Sequence, residues 1–229
     1  MNESKVIDSR TNLGNKELTM TIKRGVYLFI KRTFDIVCAL IGCAFLVPIT
    51  LIVKLCYILS GDFKSIFYNH ERIGKDGKTF KFYKFRSMVY DADDVLAKML
   101  KDNPEVAKEY NKNKKLDHDP RINKIGNFIR KTSLDEMPQF INVLKGDMSL
   151  IGNRPYMPRE KKDMDKYFAD IVKTKPGLTG WWQVSARSNS TFKERLKLES
   201  FYSNNCSLLL DIKIFFKTFK VVLLGIGAK

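Results

Sequence analysis

Eighteen consecutive residues without a charge, IVCALIGCAFLVPITLIV from Ile36 to Val53, constrain this chain more than any other feature. As a helix the run measures about 27 Å, close to the hydrocarbon thickness of a bilayer. It starts too far from the N-terminus for a removable signal peptide, and Lys54 follows it in place of a small-residue cleavage site. The run is expected to stay in the mature protein.

Two features bear on how it meets a membrane. Pro48, past the middle, lacks an amide hydrogen and clashes with the preceding turn, so a kink or break is expected there. Both flanks are basic: Lys23, Arg24, Lys31 and Arg32 on one side, Lys54, Lys64, Arg72, Lys75 and Lys78 on the other. Basic flanks favour the cytoplasmic side, and a helix that enters, bends at Pro48 and returns puts both there. A tilted single span with a tolerated proline is the alternative.

The C-terminal stretch SLLLDIKIFFKTFKVVLLG carries Lys213, Lys217 and Lys220 on one helical stripe, with Leu209, Leu210, Ile212, Phe216, Phe219 and Leu223 over much of the rest. That pattern fits a helix lying in a membrane interface, and equally one packed on the protein's own core. Between the two apolar segments the chain is of ordinary composition for a globular domain. Its formal net charge of +16 calls for an anionic partner: nucleic acid, a membrane face or a phosphorylated substrate. The four cysteines form no CxxC pair and there are two histidines, which argues against a disulfide framework or a zinc site and for a reducing compartment.

Within the central region, GKDG at 74–77 followed by FKFYKF at 80–85 predicts a short hairpin with a basic face. GKDGKT lacks the first glycine of a phosphate-binding P-loop, since Arg72 stands there. Residues 92–110 predict a helix whose first turn holds the acids of DADD, and NKNKKLDHDP a surface loop. Residues 1–20 are polar and expected to be disordered.

The stretch KTSLDEMPQFINVLKGDMSLIGNRP, residues 131–155, poses the chemical question. Ser133 and Glu136 match a capping box, and Met137, Phe140, Ile141 and Leu144 recur at helical spacing until Gly146. On that reading the acids only cap a helix. The other reading is catalytic: Asp135, kept ionised at a helix start, is a nucleophile that needs no general base. Arg130, Lys131 and Arg154 are near in sequence to neutralise a diphosphate, and a carboxylate could hold Mg2+ bridging its oxygens.

The run DPRINKIGNFIRKTSLDEMPQFINVLKGDMSLIGNRP, together with KRTFDIV, FKFYKFRSM and KPGLTGWWQVSAR, resembles the bacterial sugar transferases that are monotopic polyprenyl-phosphate phosphoglycosyl transferases. The resemblance covers about residues 31–228. It implies an α+β fold, mostly helical, with a polar tail over residues 1–30, a re-entrant membrane helix over 31–60 broken at Pro48, and a cytoplasmic catalytic domain over 61–229 with a small sheet and amphipathic interfacial helices. It implies that Asp135 takes a phosphosugar from a UDP-sugar, releasing UMP, and that polyprenyl (undecaprenyl) phosphate then receives it, opening assembly of a surface polysaccharide. It also implies that Glu136 completes the dyad, that Asp135 contacts Mg2+, and that Arg130 and Arg154 contact phosphate. The partners are then UDP-sugar, polyprenyl phosphate and inner-membrane lipid, without nucleic acid; no oligomeric state is implied.

This chain departs from the family pattern at two places. Asn153 stands where a proline is usual, which is expected to loosen the loop presenting Arg154, and Val47 replaces the serine before Pro48. GWWQVSAR differs from the GWAQVNGR of relatives acting on N-acetylated sugars and points to a hexose such as galactose or glucose. Trp181 and Trp182 are expected to pack in the core. With no large domain preceding the apolar run, the chain reads as a minimal version of the family. A basic membrane-tethered binding module would leave the Asp-Glu pair unexplained, and transfer of the bare sugar would release UDP instead of UMP.

Overall fold

The structure, a computed structural model, describes residues 3–113, 116, 118–186 and 190–223. In chain order it comprises α1 (Glu3–Leu59), β1 (Phe67–Ile73), β2 (Thr79–Phe85), α2 (Ala92–Asp102), α3 (Pro104–Asn113), α4 (Lys124–Lys131), α5 (Gln139–Lys145), β3 (Ser149–Ile151), α6 (Phe168–Ile171), β4 (Gly177–Thr179), α7 (Trp181–Ser185), α8 (Phe192–Asn205) and α9 (Leu208–Leu223). Strands β1 and β2 form an antiparallel hairpin and β3 pairs with β4 in parallel. The fold is thus α+β and mostly helical, as expected.

Helix α1 is longer than expected. The stretch expected as a polar tail is helical from Glu3, because adding turns to an existing helix avoids the cost of nucleation. Pro48 lies inside a continuous helix. One carbonyl next to it is taken up locally, where the Thr50 hydroxyl donates to Leu46 O at 2.7 Å. Within α1, Met20–Leu59 is long and apolar enough to cross a membrane.

Helix α1 packs along one side only. Asp35, Ala39, Leu46, Val53 and Tyr57 are buried, and their spacings of four, seven, seven and four residues put them on one stripe that keeps its phase through Pro48. Ala39 joins Val143, Met148 and Ile214 in one core cluster, whereas Leu46, Val53 and Tyr57 join Ile66, Phe85 and Ile129 in another. A Cβ on Gly42 would come within 2.5 Å of the Phe140 ring, so α1 and α5 touch there.

Polar contacts pin both flanks of α1 to the same domain. Lys31 meets the Asp211 carboxylate at 2.7 Å and the Ile151 carbonyl at 2.8 Å. Arg32 donates to the Val143 and Leu144 carbonyls at the end of α5, at 2.7 and 2.9 Å. Asp35 accepts from the Leu150 amide at 2.8 Å. At the far flank the Tyr57 hydroxyl donates to the Arg86 carbonyl. Lys31 to Tyr57 spans about 39 Å of helix, all against one body. Leu40, Ile41, Phe45, Val47, Leu51 and Leu55 face outward and are exposed.

Helix α9 packs on the protein's core and also keeps an exposed apolar face. Ile214 is fully buried, while Leu209, Ile212, Phe216 and Phe219 are exposed. Its lysines lie beside Trp181, with Lys217 Nζ 4.9 Å and Lys213 Nζ 5.5 Å from the ring centroid. Trp182 is buried, as expected, and donates from Nε1 to Ser190 at 2.7 Å. The single helix expected over 92–110 is two, because Pro104 drives Asn103 into an extended conformation (φ −132°, ψ 104°). Of the expected loop at 111–120, Lys114, Lys115 and Asp117 lie outside the described residues, as do Arg187, Ser188 and Asn189 after GWWQVSA. Leu116 is buried, so the segment is anchored there.

Candidate active site

The hairpin supplies the site's floor. Its turn holds Asp76 and Gly77 at positive φ, and its register pairs Tyr68 with Lys84, His70 with Phe82 and Arg72 with Phe80. Side chains alternate along a strand, so these six share one face, the basic and aromatic face expected from FKFYKF. Asn142, fully buried on α5, fastens the hairpin: its Oδ1 accepts from the Tyr83 amide at 3.1 Å and its Nδ2 donates to the Lys81 carbonyl at 2.6 Å.

The acidic pair sits between α4 and α5. Gly126 lets α4 approach β2, since a Cβ there would lie 1.9 Å from the Ser87 carbonyl oxygen. After α4 comes one turn of tight helix, Leu134–Glu136, entered through Ser133 at φ 58°. The Ser133 side chain makes no capping bond, so the capping reading does not describe this turn. Both acids turn instead to Lys84, whose Nζ lies 3.2 Å from Asp135 Oδ2 and 3.0 Å from Glu136 Oε1. Helix α5 begins behind Pro138 and ends at Gly146 (φ 86°), as the sequence predicts.

Environment separates the two acids. The Asp135 side chain is 9% exposed and that of Glu136 45%. Burial pushes the Asp135 carboxyl above the ordinary aspartate range; Lys84 opposes this, Glu136 adds to it, and Arg130 opposes it more weakly. Desolvation outweighs the favourable charges, so the site draws this carboxyl up instead of down. Burial pulls the Lys84 ammonium down, but the two carboxylates more than offset this and leave it above its usual range. Arg130 is exposed in the last turn of α4 and acts on the pair through its charge.

Arg154 follows β3 on a loop that the sequence misjudges. Asn153 does not loosen it: buried, it donates from Nδ2 to Ser203 at 2.6 Å and to the Ile171 carbonyl at 3.2 Å, tying the loop to α8 and α6. Its carbonyl accepts from the Gly177 amide at 2.8 Å. Gly152 and Gly177 let β3 and β4 meet, since a Cβ on Gly177 would fall 2.1 Å from the Gly152 nitrogen. The Arg154 amide donates to both Glu199 oxygens at 3.2 Å, while its Nε is buried without a partner.

Several cations converge beside buried carboxylates. Arg72 donates to the Pro155 carbonyl at 2.9 Å and lies 3.7 Å from Glu160. Burial, then the Arg154 charge, pull its guanidinium down to about 9. Burial and Arg72 also bring His70 down to about 3, so it is neutral near pH 7. Burial pushes the Glu199 carboxyl up to about 8 against the pull of Arg154 and Arg195. Arg72, Lys84, Glu136, Gln139, Arg154 and Gln183 line one open cleft, with about 330 Å³ of empty space. An anion there would relieve the crowding of positive charge.

The sequence profile described as Bacterial sugar transferase matches residues 26–225. The chain belongs to the bacterial sugar transferase family. Among its relatives are the UDP-galactose-lipid carrier transferase of Erwinia amylovora, 47% identical over 204 residues, and the undecaprenyl-phosphate galactose phosphotransferase of Salmonella typhimurium, 46% identical over 203. Each alignment covers 87% of this chain and 42% of the relative, so the chain spans less than half the length of these proteins. The exopolysaccharide production protein ExoY of Sinorhizobium fredii is 40% identical over 198 residues, covering 86% of this chain and 87% of ExoY. Of the residues singled out in the sequence, Glu136 and Arg154 line the cleft, Asp135 is joined to it through Lys84, and Arg130, in the last turn of α4, reaches Asp135 by its charge alone.

Reasoning from the sequence passed over Lys84, Arg72, Gln139, Gln183 and Glu199. For Lys84 and Arg72 a signal was present: residues of alternate parity along the two strands share the face that carries the site. No comparable signal marks Glu199, which reaches Arg154 across 45 residues.

Proposed function

We propose that this chain transfers a sugar 1-phosphate from a UDP-sugar to polyprenyl phosphate through a phosphosugar carried on Asp135, with release of UMP. The observation that carries the reading is the bridging of Asp135 and Glu136 by Lys84, at a cleft that Arg72 and Arg154 also line. Arg72 and Arg154 bind the diphosphate. Lys84, drawn toward the incoming anion, leaves Asp135 free with its burial intact, which makes the carboxylate a stronger nucleophile. An Asp135 oxygen forms a bond to the sugar-bearing phosphorus; the bond from that phosphorus to the bridging oxygen breaks, and its electron pair leaves with UMP. A polyprenyl phosphate oxygen then attacks the same phosphorus and displaces Asp135, giving the polyprenyl diphosphate sugar and restoring the enzyme.

Two adjacent carboxylates suit Mg2+, which commonly takes one or two protein carboxylates together with substrate phosphates and water. Asp135, with Glu136 beside it, would hold the ion, and the ion supplies neutralisation of the diphosphate charge. Among the described residues no cluster of three or more His, Cys, Asp or Glu side chains forms a self-sufficient metal site, so the substrate phosphates complete the shell.

Membrane attachment follows from α1 and α9. Both flanks of α1 are pinned to the domain that holds the site, while its outward face and that of α9 expose large apolar side chains. This supports a monotopic arrangement in which α1 enters the inner membrane from the cytoplasmic side without crossing it, and the site opens where a lipid phosphate resides. The relatives named for galactose support a hexose donor for surface polysaccharide assembly. UMP release measured across UDP-galactose, UDP-glucose and UDP-N-acetylated hexoses, with and without polyprenyl phosphate, tests the reading. UMP from a UDP-hexose is expected; release of UDP would replace it with bare-sugar transfer.

A further inference from the structure

Two amide side chains in the cleft have no part in the phosphoryl chemistry. Gln139 is 2% exposed, and its Nε2 is buried without a hydrogen-bond partner. Gln183 donates from Nε2 to the Leu178 carbonyl at 3.1 Å, which fixes which end of the amide is nitrogen. Its Oε1 is then an acceptor, and it too is buried without a partner. Gly180 leaves room for it, because a Cβ there would lie 2.9 Å from that oxygen. Both glutamines line the same cleft as Arg72, Lys84 and Arg154.

Leaving a buried donor and a buried acceptor unpaired costs free energy, so each calls for a partner such as water, an ion or a ligand, and these two lie together in a cleft. The cations account for the anionic part of a nucleotide sugar. An acceptor and a donor of neutral amides suit a neutral part.

We infer that Gln183 Oε1 and Gln139 Nε2 form an acceptor and donor pair that holds a neutral edge of the nucleotide sugar, one offering a hydrogen-bond donor beside an acceptor. The inference rests on the UDP-sugar reading above. Two parts of that molecule present such an edge: the uracil ring, with N3–H beside a carbonyl, and the hexose, whose hydroxyls both donate and accept.

The test uses the full chain in lipid nanodiscs with polyprenyl phosphate. For wild type, Gln139→Leu and Gln183→Leu, three quantities are measured: kcat and KM for UDP-hexose by UMP release, Kd for UMP, and Tm. Each variant is expected to raise KM roughly fivefold or more while changing kcat less; Tm should be unchanged or higher in Gln139→Leu, which removes an unpaired buried polar group, and somewhat lower in Gln183→Leu, which takes a donor from the Leu178 carbonyl. If the UMP Kd rises in parallel, the pair holds uracil; if it is unchanged, the pair holds the hexose. Gln139→Met and Gln183→Met, closer in shape, replace either leucine variant that fails to fold. Wild-type KM in folded variants of both positions overturns the inference and leaves the function standing. A wild type that releases no UMP from any UDP-sugar overturns both.

Discussion

At the residue scale the account turns on Lys84. It joins two carboxylates of unequal burial, and in the proposed mechanism the more buried one, Asp135, is ionised when it attacks. Because burial raises the Asp135 pKa, activity on the acid side is expected to fall at a pH above the ordinary carboxylate range. Lys84 opposes that rise in the free enzyme, so Lys84→Met should move the acid limb of the kcat/KM profile further up in pH and lower its plateau; a limb that stays in place or moves down would show that Lys84 does not set the ionisation of Asp135. Asn153 makes a second case. Asn153→Ala breaks buried hydrogen bonds to Ser203 and Ile171 and should cost about 1–3 kcal/mol in denaturant unfolding, with a higher KM as Arg154 loses its mount. From sequence, Asn153 read as a loosened proline site, because the partners that pin it lie 18 and 50 residues away.

Among the elements, the hairpin, the α5 stop at Gly146 and the apolar character of α1 were all legible, since each is written in local turn chemistry or periodicity. The path of α1 was not. Pro48 signals a break locally, whereas the in-phase stripe through Val53 and Tyr57 becomes visible only once the partners Phe85 and Ile129 are in place. The close contact of α1 and α5 gives a test with opposite signs at two glycines. Gly42→Leu drives a side chain into Phe140 and should destabilise by about 1–3 kcal/mol. Gly25→Ala, with no atom within 4 Å of the new Cβ, should stabilise α1 by up to about 1 kcal/mol through helix propensity. Thermal unfolding of both variants in nanodiscs checks the pair, and equal shifts would mean that α1 does not rest on α5.

On the scale of the whole molecule, the proposed function gives the basic excess, the outward apolar faces of α1 and α9 and the arginine-lined cleft one purpose, that of bringing an anionic soluble substrate to an anionic lipid. Single cysteines at Lys23 and Lys64, with the four native cysteines replaced, should both resist an impermeant thiol reagent in intact cells and both react after lysis; labelling of one site alone in intact cells would mean that α1 crosses the membrane. The central claim is that Asp135 carries the phosphosugar between donor and acceptor. Its most direct measurement is intact-mass analysis of the full chain mixed with UDP-hexose and Mg2+ in the absence of polyprenyl phosphate, followed by peptide mapping. The account predicts one added hexose phosphate located on Asp135, formed together with UMP, discharged by polyprenyl phosphate and absent from Asp135→Asn. An adduct mapped to Glu136, or UMP release undiminished in Asp135→Asn, would contradict it.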